Sequence, residues 1–115
     1  MVEWSKTAFL FPGQGSQTVG MGKDFAEAYP TARAIFQQAD AVSGFALSAL
    51  CFEGPEEKLN DTINTQPALY VCSAAILSVL RELLPEARPA YVAGHSLGEL
   101  TALMAAEAMT FAEGF

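Results

Sequence analysis

Two short apolar runs, TAFLF at residues 7–11 and AYVAG at 90–94, each end directly in a glycine-rich turn, Pro12-Gly13-Gln14-Gly15 and Gly94-His95-Ser96-Leu97-Gly98. Apolar runs of this length, closed by Pro or Gly, read as buried strands. The second turn opens LGELTALMAAEAM, a nearly uncharged run that reads as a helix. Strand, turn and helix therefore meet at Ser96, and strands that feed helices build an α/β fold around parallel strands.

Between the two runs the pattern is helical. From Met21 onward Phe25, Ala28, Ala32, Ile35, Phe36 and Ala39 recur at helical spacing, and Pro30 divides the segment into two helices near Tyr29. Residues 43–61, which include Gly44, Gly54 and Pro55, read as irregular chain ending in a short helical turn. The strongest helical signal is TQPALYVCSAAILSVLREL at 65–83, with Leu69, Cys72, Ile76, Val79 and Leu83 along one face and Pro67 in the first turn. The connection from Phe11 to Tyr91 is so long that the two strands need not be neighbours. A parallel sheet with both faces covered also normally has more strands than two. The sheet is thus expected to be incomplete, as in the first part of a larger domain.

With 51% hydrophobic and 17% charged residues in 115, the chain has the composition of a packed globular domain. Its 13 acidic against 6 basic residues, net charge −7, give no basic stripe for a phosphate backbone, so nucleic acid is excluded as a partner. Cys51 and Cys72 sit in apolar segments without metal-ligand spacing and read as buried free thiols. The N-terminal MVEWSKTAFLF is too short in its apolar part for a signal peptide, which points to the cytoplasm. The uncharged stretch from Thr62 to Leu80 approaches the length of a membrane span, but Asn64, Gln66 and Pro67 interrupt it. A buried helix and no membrane contact are expected.

Gly-x-Ser-x-Gly between strand and helix is the nucleophile-elbow pattern, which presents a serine oxygen beside backbone N–H groups able to stabilise an oxyanion. Ser96 and Glu99 equally match the S-x-x-E capping box, in which the serine only caps a helix. The first motif, FPGQGSQ at 11–17, is neither a dinucleotide fingerprint, since Thr18 stands where the third glycine belongs, nor a phosphate loop, since Asp24 follows Gly22-Lys23. It is either a generic glycine turn or a loop of free N–H donors at the C-terminal edge of the sheet, where α/β folds place ligands.

Together FPGQGSQTVGMG, NTQPAL and GHSLGEL, in this order, resemble the malonyl-CoA:acyl-carrier-protein transacylases and the acyltransferase domains of fatty-acid and polyketide synthases. The resemblance runs from about Thr7 to the end. It implies the N-terminal part of an α/β-hydrolase-like parallel-sheet core, with residues 1–115 in the large subdomain and without the small ferredoxin-like subdomain the family inserts. It also implies that Ser96 takes the acyl group as an ester, that the backbone N–H groups of Gln14 and Leu97 form the oxyanion hole, and that Gln66 lines the acyl pocket. His95 matches the histidine of the family's GHS triplet, expected to shape the elbow through local hydrogen bonds, to count with Gln66 among the substrate-binding residues, and not to act as base. In the family the base is a distant histidine, and an arginine in the helix after the elbow helix holds the substrate carboxylate. Neither has a counterpart here, so the remainder of the domain is an expected partner.

The implied reaction moves a malonyl group from malonyl-CoA to the phosphopantetheine thiol of an acyl carrier protein, with coenzyme A as substrate and no cofactor. A serine hydrolase of acyl thioesters would share the elbow, and a catalytically silent carrier-protein-binding segment would need none of the missing groups. An acidic carrier protein would have to be attracted by residues other than these, because this segment is itself acidic.

Overall fold

The computed structural model describes residues 2–115. The two expected strands are present as β1 (Ala8–Phe11) and β2 (Tyr91–Gly94). They pair directly and in parallel, with Ala8 opposite Tyr91 and Phe11 opposite Gly94. The sequence left their adjacency open; the intervening helices supply the crossover that a parallel pair requires. One face of the pair packs Phe9, Phe11 and Val92 with Leu77, Ala102 and Ala105. The other is open, with Leu10 77% and Tyr91 76% exposed.

The helical segment begins with α1 (Lys23–Ala28) and α2 (Pro30–Ser43). They divide where Pro30 requires: Tyr29 is extended, φ −126° and ψ 118°, and Pro30 takes the first helical position. Gly44 ends α2 with a φ of 79°, the left-handed conformation that suits a helix stop.

Residues 43–61 depart from expectation. They hold a seven-residue helix, α3 (Leu47–Glu53), as well as the expected short turn, α4 (Glu56–Leu59). Leu47, Leu50 and Cys51, spaced i, i+3, i+4, are all buried, and α3 folds because that stripe seats against α2 and the next helix. Its start is held from outside, the Asp40 carboxylate accepting the Ser48 N–H at 2.8 Å and the Ser48 hydroxyl at 2.5 Å.

The core is organised by α5 (Thr62–Leu83), which starts three residues earlier than predicted and leaves Pro67 inside the helix, not in its first turn. Proline is tolerated there because the carbonyl deprived of its donor belongs to Ile63, a residue 77% exposed. By length and composition α5 could cross a membrane, but 56% of its apolar window is buried inside the fold, as expected of a core helix. Its buried face is wider than the predicted stripe and includes Ala68, Val71, Ala74 and Ala75, whereas Ile76 and Leu83 are 39% and 56% exposed. Ile76 looks into an apolar cleft of about 440 Å³ between β1 and α5.

After β2 comes α6 (Gly98–Ala105), four residues shorter at its end than the sequence suggested. The Arg81 guanidinium donates to the Ala105 carbonyl there, and Glu107 turns the chain with a φ of 63°. The tail then returns to α5. Phe111 stacks on Tyr70 with centroids 5.2 Å apart, Phe115 meets the same ring edge-on at 5.4 Å, and the Tyr70 hydroxyl donates to the Phe111 carbonyl.

Cys51 and Cys72 are free and buried, and burial pushes their thiols up to about 12 and about 11. At neutral and mildly alkaline pH both are thus held as the unreactive thiol in the native state. Iodoacetamide is therefore expected to label neither cysteine in native protein and both in denaturant, counted by intact-mass analysis. The folded thiols hold their protons more tightly than unfolded ones. Stability from this source is accordingly complete below pH 9.0 and is lost as pH climbs toward 11 to 12.

Candidate active site

Both glycine motifs leave the same end of the parallel pair, because β1 and β2 run in the same direction and in register. The loop after Phe11 and the turn after Gly94 therefore lie side by side. The His95 N–H donates to the Phe11 carbonyl at 3.2 Å, and a Cβ on Gly13 would fall 2.3 Å from the His95 carbonyl oxygen. Glycine at position 13 is what lets the two turns close on each other.

The turn itself is sharp. Ser96 has a φ of 55°, in the left-handed region that a non-glycine residue occupies only when its surroundings hold it there. The Gly98 N–H bonds the His95 carbonyl at 3.0 Å and the Glu99 N–H bonds the Ser96 carbonyl at 3.0 Å, so the reversal is locked into the first turn of α6. The N-cap of α6 is Leu97, with φ −54°, and no side chain caps the helix. The capping-box alternative is thus not realised: the Ser96 hydroxyl is exposed and free of that task. Glu99 stands in the first turn of α6, where a carboxylate is favoured by the helix dipole.

The backbone N–H groups of Gln14 and Leu97 donate to no carbonyl among the described residues. Both are free donors, on neighbouring turns. The Gln14 side chain turns away, its amide donating to the Thr62 hydroxyl at the start of α5 at 3.0 Å. Gln66 and Leu97 are brought together across a cleft of about 450 Å³, walled also by Ile63, Pro67, Tyr70 and Leu100. His95 bonds locally through its backbone, its N–H donating to the Phe11 carbonyl and its own carbonyl accepting from the Gly98 N–H. Its Nδ1 lies 3.1 Å from where a Gly13 Cβ would be, so the ring packs on the glycine turn, but no side-chain hydrogen bond joins it among the described residues. It shapes the turn by packing and through its backbone.

Three residues at this edge carried no assignment in the sequence. Gln17 accepts the Gly15 N–H at 2.8 Å and donates to the Asn60 side-chain oxygen at 2.9 Å, and Thr62 receives Gln14. Gln17 belongs to the FPGQGSQ motif, but its partner is 43 positions away, and no local pattern marks it.

Residues 8–115 match the acyl transferase domain family. The chain is 50% identical over 107 residues to the Malonyl CoA-acyl carrier protein transacylase of Bacillus subtilis, covering 93% of this chain and 33% of that protein. Among solved structures, an acyl carrier protein S-malonyltransferase from Vibrio cholerae superposes with a TM-score of 0.91 at 48% identity, over 96% of this chain and 36% of that one. A malonyl-transacylase in complex with a type II PKS acyl-carrier protein superposes at 0.87 with 46% identity, over 96% of this chain and 35% of that one. The chain spans about a third of the length of these relatives. With the family match running through β1, the six helices and the turn at Ser96, the chain belongs to the acyl transferase domain family.

Proposed function

We propose that this chain is the N-terminal segment of the large subdomain of a malonyl-CoA:acyl-carrier-protein transacylase and carries its nucleophile and both oxyanion donors. The observation that carries the reading is Ser96, held at a φ of 55° with its hydroxyl exposed and not spent on capping α6.

In the first half-reaction the Ser96 Oγ attacks the thioester carbonyl of malonyl-CoA while its proton passes to a base supplied from outside these residues. The negative charge that develops on the carbonyl oxygen is met by the N–H groups of Gln14 and Leu97, which donate to no carbonyl among the described residues. The carbon–sulfur bond then breaks, coenzyme A leaves as the thiol after taking up a proton, and malonyl remains as an ester on Ser96. In the second half the phosphopantetheine thiol of an acyl carrier protein attacks that ester through the same oxyanion site, returning a proton to Ser96. The cleft between Gln66 and Leu97 takes the acyl chain. Such a protein works in the cytoplasm, where coenzyme A thioesters and carrier proteins meet, and serves fatty-acid or polyketide synthesis.

The test is mass spectrometry of the full-length protein carrying this segment, after brief incubation with malonyl-CoA. A malonyl adduct is expected on the peptide containing Ser96, and an adduct on any other residue overturns the assignment. The oxyanion donors are tested by exchanging Leu97 for its α-hydroxy analogue, which replaces the N–H with an ester oxygen and keeps the side chain. Transfer is expected to fall on the order of a hundredfold. Gln14→Ala, which keeps its N–H, is expected to cost much less.

A further inference from the structure

We infer that Gln17 and Asn60 form a latch that positions the Gln14 N–H for the oxyanion, making both of them positioning residues of the transfer reaction. The inference rests on the function proposed above and goes beyond it by assigning roles to two residues distant from Ser96 in sequence.

The loop from Gly13 to Gln17 has little of its own to hold it. It contains two glycines, Gly15 has a φ of 109° with nothing within 4 Å of a would-be Cβ, and the single backbone bond inside the loop, Ser16 N–H to Gly13 carbonyl, is long at 3.3 Å. Yet the donor proposed for catalysis sits in it, on exposed Gln14. Side chains provide the restraint. The Gln17 amide oxygen takes the Gly15 N–H, which fixes the peptide plane immediately after Gln14. The Gln17 amide nitrogen reaches Asn60, just before α5, so that plane is referenced to the core helix. The Gln14 side chain makes a second tie, to Thr62 on the same turn. On its other side the loop abuts the His95 carbonyl through Gly13. The donor is thus clamped between the Ser96 turn and the start of α5. An oxyanion donor contributes its full effect only when it is already aimed at the developing charge.

The contact has a chemistry that can be reversed one side at a time. Gln17→Glu keeps the oxygen that accepts from Gly15, and the Asn60 amide, turned over, donates to the new carboxylate. Asn60→Asp keeps the oxygen that accepts from Gln17. Combined, the two changes set carboxylate against carboxylate with no donor between them.

Steady-state transfer is measured for the full-length protein and these three variants, together with the Ser96 malonyl adduct, thermal melting and amide hydrogen exchange. Each single variant is expected to keep kcat within about threefold, whereas the double variant loses on the order of thirtyfold in kcat with KM for malonyl-CoA nearly unchanged. Faster exchange in the double variant is expected only in residues 13–17. Unchanged kcat in the double variant, with the Ser96 adduct intact in the parent, overturns the latch and leaves the proposed function standing. A fall in kcat accompanied by a lower melting point and faster exchange throughout α5 makes the pair merely structural and overturns it equally. Absence of any Ser96 adduct in the parent removes the proposed function and the latch with it.

Discussion

Replacing Ser96 with alanine is expected to abolish covalent malonylation and to lower carrier-protein malonylation by the full-length protein on the order of ten-thousandfold or more, as loss of the nucleophile does in other covalent enzymes. The two thiols are buried and hold their protons up to about 12 and about 11, so neither becomes a competing nucleophile at neutral pH. The check is a quench-flow measurement with radiolabelled malonyl-CoA, following labelled protein and labelled carrier separately. His95→Ala is the informative companion. Its ring packs on Gly13, and with the base proposed to come from outside this segment, adduct formation is expected to persist, more slowly. Complete loss of the adduct in His95→Ala, with the fold intact, would make His95 the base.

The second large effect is expected at Gly98. A Cβ there would lie 2.2 Å from the Phe11 carbonyl oxygen and 2.8 Å from its carbonyl carbon, and backbone atoms of a paired strand have no free space into which to retreat. Gly94 faces the same problem from the other side, its would-be Cβ 1.9 Å from the Gly98 carbonyl carbon. Gly98→Ala therefore has to push α6 off β1, at about 3 kcal/mol or more of stability, within the range of severe core overpacking. Because Ser96 and the Leu97 N–H ride on the start of α6, transfer should fall with it. Urea unfolding gives the stability change directly. Leu103→Ala, a 47% exposed position on the same helix, is the control and should shift stability by no more than about 0.5 kcal/mol.

The strands and their turns were legible because glycine chemistry is local: Gly13, Gly94 and Gly98 stand where two backbones touch, and a sequence reader sees them directly after apolar runs. The break at Pro30 was legible for the same kind of reason. Helix α3 was not, because its seven residues, within the nine between Gly44 and Gly54, are too few for a periodicity to declare itself, and its start is held by Asp40, a residue of another helix. The buried face of α5 was misjudged because a helix apolar almost all round has no single stripe, and tertiary neighbours decide which side is covered. Adjacency of β1 and β2 and the pairing of Gln17 with Asn60 span 83 and 43 positions respectively, and nothing local encodes either. At the site, the residues proposed for the chemistry stand in motifs that can be read directly, while Asn60 and Thr62, which tie the glycine loop to the start of α5, stand in none.

The pairing of Ala8 with Tyr91 and Phe11 with Gly94 also dictates where this chain can change length. Sliding one strand by a single position would carry its turn about 3.3 Å past the other and reverse every side chain between the two faces. An inserted residue within 8–17 or 91–98 is therefore a change of phase, separating the Ser96 turn from the glycine loop packed against it at Gly13. In the connection at 84–89 an extra residue in the exposed part at 84–86, before buried Ala87, adds mostly slack, since chain there need only reach from the end of α5 toward the start of β2. A library of one-residue insertions should divide along these lines, the silent positions gathering in that connection and the inactivating ones at the two strand ends.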